Sequence, residues 1–231
     1  MSKKIVGIIG GVGPAATAEL FKKVIENTDA AADCDHIRVL IDNNPKIPDR
    51  TRAIEEKTVA PVAPMVSTGQ GLVELGADFL VIPCVTAHFF YEKIQSALSV
   101  PLLNIVEETA NFCAKKKITK VGVLATSGTC QTRIFDIEMK KHSIETIYPD
   151  DKEQEMVMHI IYDLIKAGKD VNKELFKSCL GNFKKKGTDA VILGCTELPL
   201  VLEQGDFDTR FIDVLDVLAK AIVKKAGYKV K

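Results

Sequence analysis

Short apolar runs alternate with longer amphipathic stretches along most of the chain. Residues 4–9, 37–41, 79–82, 102–105 and 121–124 are compact and rich in Val, Ile and Leu, as buried strands require. Residues 14–27 carry helical periodicity through Ala15, Leu20, Val24 and Ile25, and 86–97 and 107–117 also predict helices. Residues 53–75 predict a helix that Pro61 and Pro64 should break or restart. A polar loop with two prolines, 42–50, separates the second strand from this helix. Strands separated by helices imply parallel sheets, right-handed crossovers and helices on the sheet faces.

After about residue 118 the pattern begins again. Gly76-Ala-Asp-Phe-Leu-Val-Ile-Pro-Cys84-Val-Thr86 aligns with Gly187-Thr-Asp-Ala-Val-Ile-Leu-Gly-Cys195-Thr-Glu197 at a constant spacing of 111 residues. Lys4-Ile-Val-Gly-Ile-Ile-Gly echoes Thr119-Lys-Val-Gly-Val-Leu-Ala, and Leu102-Leu-Asn-Ile-Val more faintly echoes Phe211-Ile-Asp-Val-Leu. Three matches in one order predict two similar doubly wound α/β lobes. The first comprises residues 1–108 plus 211–231, because the helix at 214–225 is expected to return to it; the second comprises 109–210. A pseudo-twofold axis would relate the lobes and place the active site in the cleft between them.

The repeat puts one cysteine in each lobe just past a buried strand. In open α/β sheets that is where ligands bind. A helix is expected to follow each of Cys84 and Cys195, and the positive end of a helix favours a thiolate. Two thiols on opposite sides of a carbon can take a proton from one face and return one to the other, which inverts a stereocentre. Cys34, Cys113, Cys130 and Cys179 have no such repeat and read as ordinary small apolar residues.

Composition narrows the class further. The chain has 231 residues, 46% of them hydrophobic, so it can bury a core of one large domain or two smaller ones. Lys+Arg and Asp+Glu are both 31, which gives no basic excess for nucleic acid. The lysine runs 115–117 and 184–186 suit solvated helix ends. No apolar run reaches the roughly 20 residues needed to span a bilayer. The basic-then-apolar start runs into a glycine turn and reads as a strand, not a signal peptide, so a cytoplasmic protein is expected. The six cysteines show neither Cys-x-x-Cys nor Cys/His zinc spacing, which predicts free thiols and no metal site.

Gly10-Gly11-Val12-Gly13-Pro14, Ile47-Pro48-Asp49-Arg50-Thr51, Pro83-Cys84-Val85-Thr86-Ala87-His88 and Gly194-Cys195-Thr196-Glu197-Leu198 together resemble the aspartate/glutamate racemase family. The likeness covers essentially the whole chain and is closest to the aspartate racemase branch. It implies cofactor-independent racemisation of an acidic amino acid, aspartate by its branch, with Cys84 and Cys195 as the acid/base pair. It also implies substrate contacts from Gly11, Arg50, Val85, Thr86, Lys166, Thr196 and Glu197. Arg50 suits a carboxylate because its planar guanidinium makes bidentate hydrogen bonds. The amides after each cysteine, with the hydroxyls of Thr86 and Thr196, suit the α-carboxylate and the developing enolate-like charge. Lys166 stands where the family carries a lysine reaching the cleft. Thr126 and Thr129 end the restarted first strand and could touch substrate or cap a helix. Glu197 could orient the substrate ammonium, tune Cys195 or favour a helix start; His88 could support Cys84 or cap or pack. Where the family usually reads Cys-Asn-Thr, this chain reads Cys84-Val85-Thr86. A homodimer is the default assembly for such an enzyme.

Two other readings stay open. Gly11-Val-Gly13-Pro-Ala-Ala16 follows a strand and fits a dinucleotide fingerprint, although Asp42 lies too far on for the expected ribose carboxylate. The same scaffold could also bind an amino acid or diacid without turnover, or act on a different one.

Overall fold

The computed structural model describes residues 3–202, 205 and 207–231. The chain divides into two compact units: the chain up to Ile105 together with Leu215–Lys231, and Val106–Val214.

The first unit is built on β1 (Val6–Gly10), α1 (Pro14–Asn27), β2 (Val39–Asn43), α2 (Arg50–Glu55), α3 (Val62–Glu74), β3 (Phe79–Val81) and α4 (Tyr91–Gln95). Its sheet runs β2-β1-β3, all parallel, and a parallel bridge from Leu80 to Leu102 extends it by one position. β1 and β3 are buried along their whole length, whereas β2 is an edge strand that becomes exposed from Ile41 on. α1 starts with Pro14 in its first turn, where a missing N–H costs nothing. Its buried stripe is Ala16, Leu20 and Val24, one residue per turn, with Thr17 beside it; Ala15 and Ile25, counted as apolar positions in the sequence pattern, face outward. The helix predicted over 53–75 is two helices, parted before Pro61 as the proline rule requires. The strand predicted at 102–105 is only the Leu102 bridge, because the chain turns into a helix at Ile105.

The second unit takes in α5 (Ile105–Lys115), which starts at the boundary, then β4 (Lys120–Leu124), α6 (Ser127–Thr132), α7 (Ile134–Lys141), β5 (Glu145–Ile147), α8 (Asp151–His159), α9 (Lys177–Lys185), β6 (Ala190–Leu193) and β7 (Phe211–Asp213). Its sheet runs β5-β4-β6-β7, all parallel. α8 begins on a capping box in which Asp150 and Glu153 satisfy each other's backbone N–H. The segment 211–213, assigned from sequence to the first lobe, pairs with β6 in this sheet. Its apolar pattern marks a strand but carries no information about its partner. α10 (Val214–Lys225) then enters the first unit, where Lys4 N donates to Ala226 O at 3.0 Å.

The two sheets share one register. Val6 pairs with Phe79 and Val121 with Ala190, the residues aligned with them in the repeat. Leu80 bridges Leu102, and Val191, 111 positions after Leu80, pairs with Phe211, the residue aligned with Leu102. Among the described residues, no helix is long and apolar enough to cross a membrane.

Candidate active site

In the first unit the candidate residues gather past the C-terminal ends of β1, β2 and β3. Gly11 has φ of +83°, and a Cβ there would lie 2.2 Å from the backbone carbon of Asn44. Only glycine lets the turn after β1 close against the loop after β2. Gly11 N donates to Thr17 Oγ1 at 3.1 Å. Close packing of two loops thus explains this glycine without a phosphate, which weakens the dinucleotide reading.

Arg50 opens α2, and the Asp49 side chain caps that helix by accepting from Arg52 N at 2.8 Å. Arg50 itself is only 7% exposed, and its Nη1 donates to Pro48 O at 3.2 Å. Burying a guanidinium is costly, so Arg50 is not a solvated loop arginine.

Cys84 follows β3 by three residues in a tight turn, Cys84 N donating to Ile82 O at 2.8 Å. It belongs to the apolar cluster that includes Ile82, Ala87 and Phe90, and is 8% exposed. Val85 and Thr86 beside it are buried too. The helix expected over 86–97 is instead a 3-10 turn, Thr86–Phe90, followed by α4. The helical stretch after Cys84 thus begins in the tighter 3-10 geometry, with poorer hydrogen bonds in its first turns than an α-helix.

His88 sits in that turn and is buried. Its Nδ1 lies 2.8 Å from Cys84 O, and its Nε2 lies 3.3 Å from Ile105 N. Burial lowers its pKa from 6.5 to about 4, while the carbonyls of Cys84 and Leu103 pull the other way. The histidine is therefore neutral in the folded chain at pH 7 and takes up a proton more readily when unfolded. Stability linked to it is complete above about pH 6.5 and is lost as pH falls toward about 4. Unfolding by denaturant should show a loss of roughly 2–3 kcal/mol between pH 7 and pH 4.5 that His88→Asn lacks. Equal pH slopes for the two proteins would show that His88 is charged, or reached by solvent, in the native state.

In the second unit the candidates gather past β4 and β6. Thr126 caps α6: its Oγ1 accepts from Thr129 N at 3.4 Å and lies 3.3 Å from Thr129 Oγ1. Both threonines are buried, so capping is a visible role for Thr126. Cys195 is 8% exposed, as Cys84 is, and Thr196 and Glu197 beside it are buried. Its carbonyl accepts from Leu198 N at 3.0 Å, and among the described residues the helical element that follows directly is a 3-10 turn, Leu198–Leu200.

Lys166 Nζ meets Glu197 Oε2 at 2.8 Å and lies 5.2 Å from the Tyr162 ring centre. The sequence pattern raised both charged residues but not their pairing, which joins positions 31 apart. Lys166 directly follows a π-helical segment, Ile160–Ile165, with Lys166 N donating to Ile161 O at 3.0 Å. That wider turn adds a residue to the helix and re-aims the side chains that follow.

The remaining cysteines are set apart by their surroundings. Burial pushes the thiols of Cys113 and Cys130 up to about 12 and that of Cys179 further up, while Cys34 is exposed. Among the described residues, no group of three or more His, Cys, Asp or Glu side chains could hold a metal ion.

A sequence profile of the Asp/Glu/Hydantoin racemase family matches residues 9–222. The broad specificity amino-acid racemase RacX of Bacillus subtilis (strain 168) is 32% identical, over 95% of this chain and 96% of its own. Among solved structures, the aspartate racemase of Picrophilus torridus is 32% identical with a TM-score of 0.89, over 99% of this chain and 96% of its own. An aspartate racemase homologue from Pyrococcus horikoshii OT3, 24% identical over 97% of this chain and 99% of its own, shares the fold with a TM-score of 0.78.

Proposed function

Because the chain belongs to the Asp/Glu/hydantoin racemase family, we propose that it racemises an acidic amino acid, aspartate, using Cys84 and Cys195 and neither pyridoxal phosphate nor a metal. Its enzyme class is isomerase. The observation that carries the two-thiol reading is the shared register: Cys84 and Cys195 occupy equivalent positions past β3 and β6, with equal exposure.

The reaction needs one thiolate and one thiol at once, so the pair titrates as a unit. The thiolate takes the α-proton from one face and becomes a thiol. The electron pair left on the α-carbon is delocalised into the α-carboxylate. The second thiol then delivers its proton to the opposite face and becomes the thiolate, ready for the reverse direction. Thr86, Thr196 and the amides beside them hold the α-carboxylate, and Arg50 binds the side-chain carboxylate. Glu197 and Lys166 together keep the Cys195 side of the site polar and nearly charge-balanced.

A chiral assay against aspartate, glutamate and a panel of other amino acids tests this reading. In deuterated water the product enantiomer should acquire deuterium before the remaining substrate does, since the delivering thiol exchanges with solvent. Activity should survive dialysis against a chelator. Restoration of lost activity by pyridoxal phosphate or a divalent metal would overturn the two-thiol reaction.

Val85 favours a second reading, an amino-acid racemase that also accepts less polar substrates. Valine cannot donate or accept a hydrogen bond where asparagine could do both. RacX, named for broad specificity, supports testing this. Val85→Asn should raise the kcat/KM ratio of aspartate over an apolar amino acid by about tenfold, the worth of one hydrogen bond to a charged group. Identical ratios over the panel would mean that position 85 does not meet the ligand.

A further inference from the structure

We propose that His88 is a positioning residue for Cys84: an uncharged clamp that holds the Cys84 carbonyl with one ring nitrogen and the first amide of α5 with the other. The proposal rests on reading Cys84 as a proton carrier.

The partners dictate the tautomer. Cys84 O can only accept, so Nδ1 carries the proton and donates to it at 2.8 Å. Ile105 N–H can only donate, so Nε2 is bare and accepts from it at 3.3 Å. One neutral ring satisfies both contacts. The ring is held in its plane by Tyr91, which stacks on it at 6.1 Å between centroids and 12° between planes. Tyr91 is itself tied down, its hydroxyl donating to Leu102 O at 2.9 Å. Leu102 bridges Leu80 of β3, the strand that leads to Cys84. A closed circuit therefore runs from β3 through Cys84, His88, Tyr91 and Leu102 back to β3.

This circuit fixes the peptide on the carboxyl side of Cys84, and so the direction of its Cα–Cβ bond. A proton carrier must meet the α-carbon within narrow limits of distance and angle, and small displacements lower the rate steeply. His88 exerts that control with no proton of its own to give. Its one N–H is committed to the Cys84 carbonyl, its other nitrogen meets the Ile105 amide, and the Leu103 carbonyl also acts on the ring. The sequence raised support of Cys84 as one role for His88, but not the contact with Ile105, which lies 17 residues further on.

Three substitutions dissect the clamp. His88→Asn puts an amide nitrogen near the place of Nδ1 and keeps the bond to Cys84. His88→Gln reaches the place of Nε2 and keeps only the Ile105 side. His88→Phe keeps neither. Measured on folded protein below its Tm, kcat for racemisation should fall by about tenfold or more in His88→Gln and His88→Phe, with KM little changed. His88→Asn should stay within about threefold of the parent. The pH limbs of kcat should not move in His88→Asn, because His88 carries no proton in the reaction. Alkylation of Cys84 by iodoacetamide, read on its peptide by mass spectrometry, should follow the same order without any substrate present. If the chain turns over no amino acid while alkylation keeps that order, the clamp stands and the functional reading fails. Equal effects of Asn and Gln in both measurements would overturn the clamp, since a general packing loss moves both alike. A shifted pH limb, or a folded His88→Phe with the parent's kcat, would overturn it too. Should His88→Phe not fold, the Asn and Gln pair alone decides.

Discussion

Replacing either Cys84 or Cys195 by serine is expected to lower racemisation by about a thousandfold while leaving the fold intact. Serine is nearly the same size, so packing around either site changes little. Its hydroxyl is a far weaker acid than a thiol, so the substituted position cannot hold a charged base at neutral pH. Each substitution removes one of two proton carriers, and inversion needs both. The half that remains can still exchange the α-proton on its own face. Each single variant should therefore wash deuterium into one enantiomer of aspartate without converting it, and the two variants should act on opposite enantiomers. Both cysteines are 8% exposed, whereas Cys113 and Cys179 are fully enclosed, so of these four only the first two keep any surface for a ligand. Cys34→Ser, at an exposed site, should leave kcat unchanged. A Cys84→Ser or Cys195→Ser protein that racemises at close to the parent rate would remove that residue from the chemistry.

Arg50→Ala should weaken kcat/KM for aspartate by about 30- to 1000-fold, or roughly 2–4 kcal/mol. The guanidinium is buried at the start of α2, where solvent screens it little. Losing a charge-assisted pair there costs more than losing one at the surface. Arg50→Lys should recover only part of the loss, since a point charge cannot reproduce the planar fork. The effect should be confined to substrates with a second carboxylate. A racemase of apolar amino acids would instead keep its kcat/KM for those substrates in Arg50→Ala, and the comparison separates the two substrate classes directly. Parent kinetics for aspartate would place Arg50 outside the site, and Tm measured alongside shows whether loss of a buried side chain has weakened the fold.

Much of the architecture was legible because the repeat and the strand pattern are local signals. The apolar runs at 4–9, 79–82 and 121–124 mark central strands, and the alignment of Cys84 with Cys195 already implies their common register. What stayed hidden depends on partners distant in sequence. Residues 211–213 look like a strand in either unit, and only their bonds to β6 place them. The break of 86–97 into a 3-10 turn and a short helix leaves no proline or glycine to announce it. At the candidate site the residue types were readable and their couplings were not. Lys166 and Glu197 meet across 31 positions, and the π-helical turn before Lys166 has no compositional mark. The loop around Arg50 left a solvated loop arginine open as the lesser reading; its burial decides against that.

The placement of α10 also bears on synthesis. The second unit is one continuous stretch, Val106–Val214, while the first is completed only by Leu215–Lys231. A chain leaving the ribosome thus holds every residue of the later-made unit before it holds the last helix of the earlier-made one. Domains fold as their residues emerge, so the order of folding need not follow the order of translation. Until α10 docks, the surface of the first unit that its buried residues Leu218, Ile222 and Val223 pack against lies open. Nascent chains stalled just before Leu215 should be the ones that chaperones hold longest.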